Sequence, residues 1–87
     1  MNLDAIQDQK ELRELWMRFK THPVREGRLL FPDRPKGYVS ATYDLANYAI
    51  NKSVAIGCRL NGKIDTALKY EADCDLIYEG LPDYAKW

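Results

Sequence analysis

Residues 40–60 read SATYDLANYAINKSVAIGCRL, a run without proline that carries apolar side chains on two sides of one predicted helix. Ser40 is a favourable N-cap residue, and the Asn61-Gly62 pair that follows suits a helix end. The apolar positions on one side are Leu45, Tyr48, Ala49, Ile56 and Leu60, and those on the other are Tyr43, Ala46, Ile50, Val54 and Gly57. A helix that is apolar on two sides is buried on two sides, so we predict residues 40–60 as the central helix.

An amphipathic helix is predicted before and after this central helix. In residues 4–20, Asp4 with Gln7 resembles a capping box, and a helically spaced apolar stripe follows at Leu12, Leu15, Trp16 and Phe19. In residues 63–79 the predicted buried positions are Ala67, Tyr70, Cys74, Ile77 and Tyr78, to which Leu68, Ala72 and Leu76 are added. Gly80 and Pro82 should end this third helix.

Residues 21–39 form the predicted connection between the first two helices. Pro23, Pro32 and Pro35 each remove a backbone donor, so we expect no continuous helix here. Residues 28–31, RLLF, are apolar enough to pack on the helices or to form a short strand. A connection of this length is more often functional than a mere spacer.

Together these segments predict a single all-α domain, residues 1–87, with three helices of which the second and third form an αα-hairpin. The 46% of hydrophobic residues is enough to build a core without metal or disulfide support. The tail, residues 80–87, is expected to return to the bundle through Trp87. The chain has no apolar run long enough for a membrane span and no signal-peptide pattern, so we expect no membrane contact and a cytoplasmic protein.

Positive and negative charges are unevenly distributed along the chain. Residues 18–36 contain six of the 13 Lys and Arg residues against two acids, whereas residues 65–87 contain six acids against two Lys residues. The zero net charge is therefore a cancellation between two segments. Such charges either pair within the fold or serve a partner.

Three acids at intervals of four lie on one side of the predicted third helix: Glu71, Asp75 and Glu79. They repel one another unless positive groups lie nearby. Basic side chains of the connection, or Lys52, Arg59 and Lys63, could fold over them. A basic patch on another protein is a second way to satisfy them, and simple solvation is a third.

Residue patterns for catalysis, metal binding or cofactor binding are scarce. His22 is the single histidine, no CxxC or HxxxH spacing is present, and the glycines form no phosphate-binding loop. Cys58 and Cys74 fall in predicted helices and are expected to be buried free thiols. The sequence therefore predicts no enzyme, no cofactor and no metal.

Residues 62–70 read GKIDTALKY and are followed by a small Cys74 and by Pro82. The order of a glycine, a small Ala67 and an aromatic Tyr70 resembles the second helix of a tetratricopeptide repeat. The first-helix positions of that family are not matched, and its arrays need about three units. The resemblance implies an antiparallel hairpin and not a peptide-binding groove.

Four further segments resemble small proteins encoded by phages and prophages of enteric bacteria: REGR (25–28), FPDRPKGYV (31–39), DLANYAIN (44–51) and LPDYAKW (81–87). The resemblance implies an accessory protein, and such proteins commonly bind a host enzyme or defence complex. We therefore expect a non-enzymatic modulator or inhibitor of a host protein, active in the host cytoplasm as a monomer or small homo-oligomer.

The expected partner-binding residues are Arg25, Arg28, Phe31, Arg34 and Lys36. Arginine forks and aromatic rings are typical anchors of protein interfaces. The stripe of Glu71, Asp75 and Glu79 is a second candidate surface.

Two alternative functions remain open at this point. The basic connection could bind nucleic acid, with arginines on phosphates and aromatic rings on bases, although the pI of about 6.6 is low for such modules. The chain could instead be a structural or self-assembling helical protein.

Overall fold

The computed structural model describes residues 1–87 and contains four α-helices and no strand. The helices are α1 (Gln9–Thr21), α2 (Pro23–Leu30), α3 (Tyr38–Leu60) and α4 (Ile64–Gly80), with short 3₁₀ helices at Leu3–Ala5 and Asp83–Ala85. The predicted all-α class is confirmed. The fourth helix, α2, lies within the segment that was predicted to be an irregular connection.

Helix α3 is the centre of the domain, as its two-sided apolar pattern predicts. It packs extensively against both α1 and α4 and less extensively against α2. The α1 interface is tied by the Gln9 Nε2 amide, which donates to the Ser53 carbonyl at 2.8 Å. The α4 interface brings the Cys74 Sγ within 3.7 Å of the Tyr48 carbonyl. Buried small side chains let neighbouring helices approach α3 closely, and they include Ala41, Ala46, Ala49, Ser53 and Ala55.

Helix α1 begins later than its predicted start at residue 4. Residues Ile6 and Asp8 have extended backbone, and Asp8 is the N-cap, with its side chain accepting from the Lys10 backbone N–H at 2.9 Å. The Asp4-Gln7 pair lies in and after the preceding 3₁₀ turn, where the Gln7 side chain donates to the Asp4 carbonyl. The predicted apolar stripe is confirmed, since Leu12, Leu15 and Phe19 are buried and Trp16 packs at the edge of the core.

Helix α2 forms because Pro23 occupies the first helical turn, where a missing N–H costs no hydrogen bond. Pro23 thus begins a helix that the predicted connection, residues 21–39, did not include, although no single helix runs through this segment, as expected. Its preceding residue, His22, does leave the helical region, and this single residue separates α1 from α2. The irregular part of the connection is reduced to Phe31–Gly37, which contains the other two prolines.

Glycines with positive φ set both ends of α3. Gly37, at φ +82°, is the residue before the helix, so α3 begins at Tyr38 and not at Ser40. Gly62, at φ +75°, follows the C-cap Asn61 and confirms the predicted left-handed position. The Gly62 N–H donates to the Arg59 carbonyl and the Lys63 N–H to the Cys58 carbonyl, which is the Schellman pattern.

Several apolar side chains that were predicted to be buried are exposed. On α3 these are Tyr43 and Leu60, and on α4 they are Leu68, Ala72 and Leu76. The face of α4 that does pack on α3 carries the predicted Ala67, Tyr70, Cys74, Ile77 and Tyr78. The outer face of α4 is apolar without a partner in the fold, because no fifth helix covers it.

The backbone of α2 lies very close to side chains of α3 at Gly27. A Cβ there would lie 2.7 Å from Thr42 Oγ1 and 2.8 Å from Tyr38 Cδ2. Thr42 is fully buried and donates to the Tyr38 carbonyl, so it has no room to move. Gly27→Ala should therefore destabilise the protein by about 1–3 kcal/mol despite alanine's higher helix propensity.

The matched control is Gly80→Ala, because a Cβ at Gly80 meets nothing within 4 Å. Urea denaturation of both variants measures the difference. A Gly27→Ala protein as stable as the wild type would contradict the close α2–α3 packing.

Candidate partner-binding surface

The α1–α2 corner brings together positive charges that are separate in the sequence. Arg18, near the end of α1, and Arg25, on α2, both approach the same carboxylate, Glu26, at 3.7 Å and 3.4 Å. Glu26 is buried, whereas both arginine side chains are more than half exposed. One acid therefore holds two arginines at the surface and leaves a net positive charge.

Arg28 adds a further positive charge with no acidic side chain within ion-pair distance. It lies one turn after Arg25 on α2. Both residues line a shallow cavity at the α1–α2 corner, together with His22, Val24 and Leu29. The sequence predicted Arg25 and Arg28 as contacts, and the fold places them side by side.

Exposed apolar side chains lie among these arginines. Val24 is 43% exposed and Leu29 is 71% exposed, and both line the same cavity as Arg25 and Arg28. Met17 is 52% exposed and lies one turn before Thr21, which also borders that cavity. We call Met17, Arg18, Val24, Arg25, Arg28 and Leu29 the basic surface.

Three other residues that were predicted as contacts lie away from this corner. Phe31 is half-buried and packs edge-on against Tyr84, with ring centroids 5.1 Å apart. Arg34 is exposed in a turn at φ +48°, and the Lys36 carbonyl accepts from the Tyr84 hydroxyl at 3.0 Å. Phe31 and Lys36 thus help to attach the C-terminal tail to the α2–α3 loop.

Sequence reasoning missed Met17, Val24 and Leu29 as members of this surface, and it counted Arg18 in the basic segment 18–36 without naming it as a partner contact. The available signal was Pro23 as a first-turn residue, which predicts a helix and hence the i, i+4 spacing of Val24 with Arg28 and of Arg25 with Leu29.

The acidic stripe on α4 is only partly compensated. Arg59 at the end of α3 forms a bidentate pair with Glu71, and the second of its two hydrogen bonds measures 2.7 Å. This pair lowers the pKa of the Glu71 carboxyl through hydrogen bonding from Arg59. Asp75 and Glu79 form no ion pair with any residue of the chain. The basic segment does not fold over this stripe.

A polar cleft of about 350 Å³ lies where the N-terminal segment meets α3 and α4. Its central group is the Asp4 carboxylate, which accepts from the Tyr48 hydroxyl on one oxygen and from the Trp87 indole N–H on the other, the latter at 2.9 Å. Lys52 donates to the carbonyls of Leu3 and Asp4 at 2.8 Å and 2.7 Å.

This cluster joins the two ends of the chain, and the prediction that Trp87 returns to the bundle is confirmed. The Trp87 ring packs between Tyr48 and Tyr78, with centroid distances of 4.9 Å and 4.8 Å. The Tyr78 hydroxyl also donates to the Trp87 carbonyl.

Burial and neighbouring groups shift the pKa values of several titratable side chains in the cleft. Burial and the neighbouring carboxylates of Asp75 and Asp4 raise the pKa of the Cys74 thiol to about 12, so it stays protonated and is a poor nucleophile. Burial and the hydrogen bond to Asp4 raise the pKa of Tyr48. Burial lowers the pKa of Lys52, and the charge of Asp4 partly offsets this. The arrangement is suited to holding the chain ends together.

Comparison of the chain with protein-family models, with curated proteins and with solved structures found no match.

None of the helices has both the length and the apolar character needed to cross a bilayer. No group of three or more His, Cys, Asp or Glu side chains is positioned to hold a metal ion.

The hydrogen bonds and charges around Asp4 make the stability of the fold depend on pH. Burial alone would raise the pKa of Asp4, but the hydrogen bonds from Tyr48 and Trp87 and the charge of Lys52 together lower it below its ordinary value of 3.8. The stability that Asp4 contributes is therefore fully present above that value and is lost as the pH falls through the lowered pKa.

Asp4→Asn should cost about 1 kcal/mol at pH 7, as expected for weakened hydrogen bonds to a charged acceptor at a half-exposed site. The difference from the wild type should shrink as the pH falls below 4, because the wild-type carboxylate then becomes protonated. Urea midpoints measured from pH 7 to pH 2 test this. Asp33→Asn, at an exposed residue without a side-chain hydrogen bond or ion pair, is the control.

Proposed function

We propose that this protein is a non-enzymatic accessory factor that binds another protein through its basic surface. The supporting observation is that Arg25 and Arg28 line one cavity with exposed Val24 and Leu29. Arg18 adjoins them because it shares the single buried acid, Glu26, with Arg25. Arginines beside apolar groups are enriched at protein interfaces. The complementary partner surface is acidic and carries apolar side chains.

In this proposal the partner is a host protein, and the factor modulates or inhibits it as phage-type accessory proteins do. Its resemblance to small phage and prophage proteins supports this reading. The site of action is then the cytoplasm of the host cell. Binding of the partner would place an acidic group against Arg28, which has no ion pair within the chain.

The α1–α2 corner is also suited to binding because it is rigidly held. Gly27 on the inner side of α2 lies against Thr42 and Tyr38 of α3, so the backbone of α2 is held in place before a partner binds. A partner therefore loses little free energy in ordering this backbone.

Nucleic acid is a less suitable partner for the same surface. The unpaired acids of α4 belong to the same small molecule, and the 13 Lys and Arg residues are matched by 13 Asp and Glu residues. A long polyanion close to the basic surface would also be repelled by these acids of α4.

The test is affinity capture from an enteric bacterial lysate, with and without nuclease, followed by binding measurements with the purified partner. Arg25→Glu/Arg28→Glu should weaken partner binding at least tenfold, because it reverses two charges at the centre of the basic surface. The control is Lys63→Glu/Lys69→Glu, which makes the same change in net charge at two exposed lysines without ion pairs. This control should bind the partner normally.

Two outcomes would overturn the proposal. Capture that disappears with nuclease would assign the surface to nucleic acid. Equal weakening by both double variants would show that net charge alone, and not the basic surface, drives binding.

A further inference from the structure

The outer face of α4 carries an apolar stripe that the fold does not cover. Its members recur every four residues and are all exposed: Ile64, Leu68, Ala72 and Leu76. Leu68 is 52% exposed and Leu76 is 66% exposed, whereas the opposite side of α4 packs against α3 through Ala67 and Cys74. The stripe extends for about 18 Å along the helix, from the twelve-residue separation of its ends.

Acidic side chains accompany this stripe. Asp65, Asp75 and Glu79 are exposed and form no ion pair within the chain. Lys69 is also exposed on this side of the helix, one turn after Asp65. The face of α4 is therefore apolar with a net negative charge, which is the kind of surface that the basic surface of α1 and α2 would bind. We call Ile64, Asp65, Leu68, Ala72, Asp75, Leu76 and Glu79 the α4 outer face.

The two surfaces cannot meet within one molecule. Helix α3 lies between α1 and α4, packing extensively against both, while α1 and α4 have hardly any contact with each other. The single basic residue that reaches the acidic stripe is Arg59, and it is already paired with Glu71. Each molecule thus presents one basic and one acidic surface, both with exposed leucines.

We propose that the α4 outer face of one copy docks on the basic surface of a second copy. The proposal uses the basic surface assigned above, so self-association and partner binding compete for it. Docking would place Asp75 and Glu79 near Arg25 and Arg28 and would cover Leu68 and Leu29. The two contacting surfaces are different, so the interface is heterologous and successive copies form a ring or a chain.

The size of the surfaces sets the strength of the association. One helix face about 18 Å long and about 10 Å wide is small against the roughly 800 Å² per partner of a standard interface. We therefore expect association at high micromolar concentrations. It should weaken between 50 mM and 500 mM salt because exposed charge pairs are screened.

Two single variants and their mixture test the geometry of this interface. Leu29→Asp disables the basic surface, and Leu68→Asp disables the α4 outer face. Each variant alone should remain monomeric in sedimentation velocity at concentrations where the wild type associates, with the dissociation constant raised at least tenfold. An equimolar mixture of the two should form dimers and nothing larger, because one intact surface of each kind remains. Tyr43→Asp, at an exposed apolar residue outside both surfaces, should associate like the wild type.

The outcomes separate this proposal from the proposed function. A wild type that stays monomeric at 500 µM in 50 mM salt overturns head-to-tail docking, and so does a mixture that fails to dimerise when the wild type associates. Partner binding lost in Arg25→Glu/Arg28→Glu would still support the proposed function in either case. Self-association that follows these rules, without a partner that depends on the basic surface, would support docking and overturn the proposed function.

Discussion

The two-sided burial of α3 is the constraint on which the rest of this structure depends. Helix α3 is the only element that packs against all of the other three α-helices, most extensively against α1 and α4, and its buried positions are mostly Ala, Ser and Thr. Small side chains let α1 and α4 lie close to it. The larger buried side chains include Leu12, Leu15 and Phe19 of α1, together with Leu45 and Tyr48 of α3 itself. The core therefore lies along one helix, α3. The molecule is elongated, with extents of 42 × 23 × 19 Å.

This arrangement also determines where the charges lie. Since α3 separates α1 from α4, the basic residues near α2 and the acids of α4 cannot neutralise one another, and only Arg59 bridges to the stripe. The zero net charge of the chain is the sum of a basic region around α2 and an acidic region on α4. The chain ends, in contrast, are firmly joined, because Asp4 accepts hydrogen bonds from both Tyr48 and Trp87. The molecule thus has chain ends that are joined on the core and two surfaces, one basic and one acidic, whose charges are not neutralised within the fold.

Much of the fold follows from local patterns. The apolar periodicity predicted α1 and α3 as well as the inner face of α4, and Gly62 predicted the turn of the hairpin. The errors have specific physical causes. Pro23 was considered only as a residue without a backbone donor in a connection, yet in a first turn it begins a helix. Leu68, Ala72 and Leu76 were predicted to be buried because they are apolar, but hydrophobicity does not reveal whether a neighbouring helix exists to cover them.

The candidate binding residues were likewise predicted only in part from the sequence. The sequence identified Arg25 and Arg28 by charge and residue type, and it identified the uneven distribution of acids and bases. It did not place Arg18 beside Arg25, because that contact depends on the buried Glu26 at the α1–α2 corner. The sequence by itself determined three of the four helical segments and the two oppositely charged regions, since both are local properties of the chain. Only the tertiary structure decided that these regions stay apart, because the packing of α1 and α4 on α3 is set by contacts between residues distant in sequence.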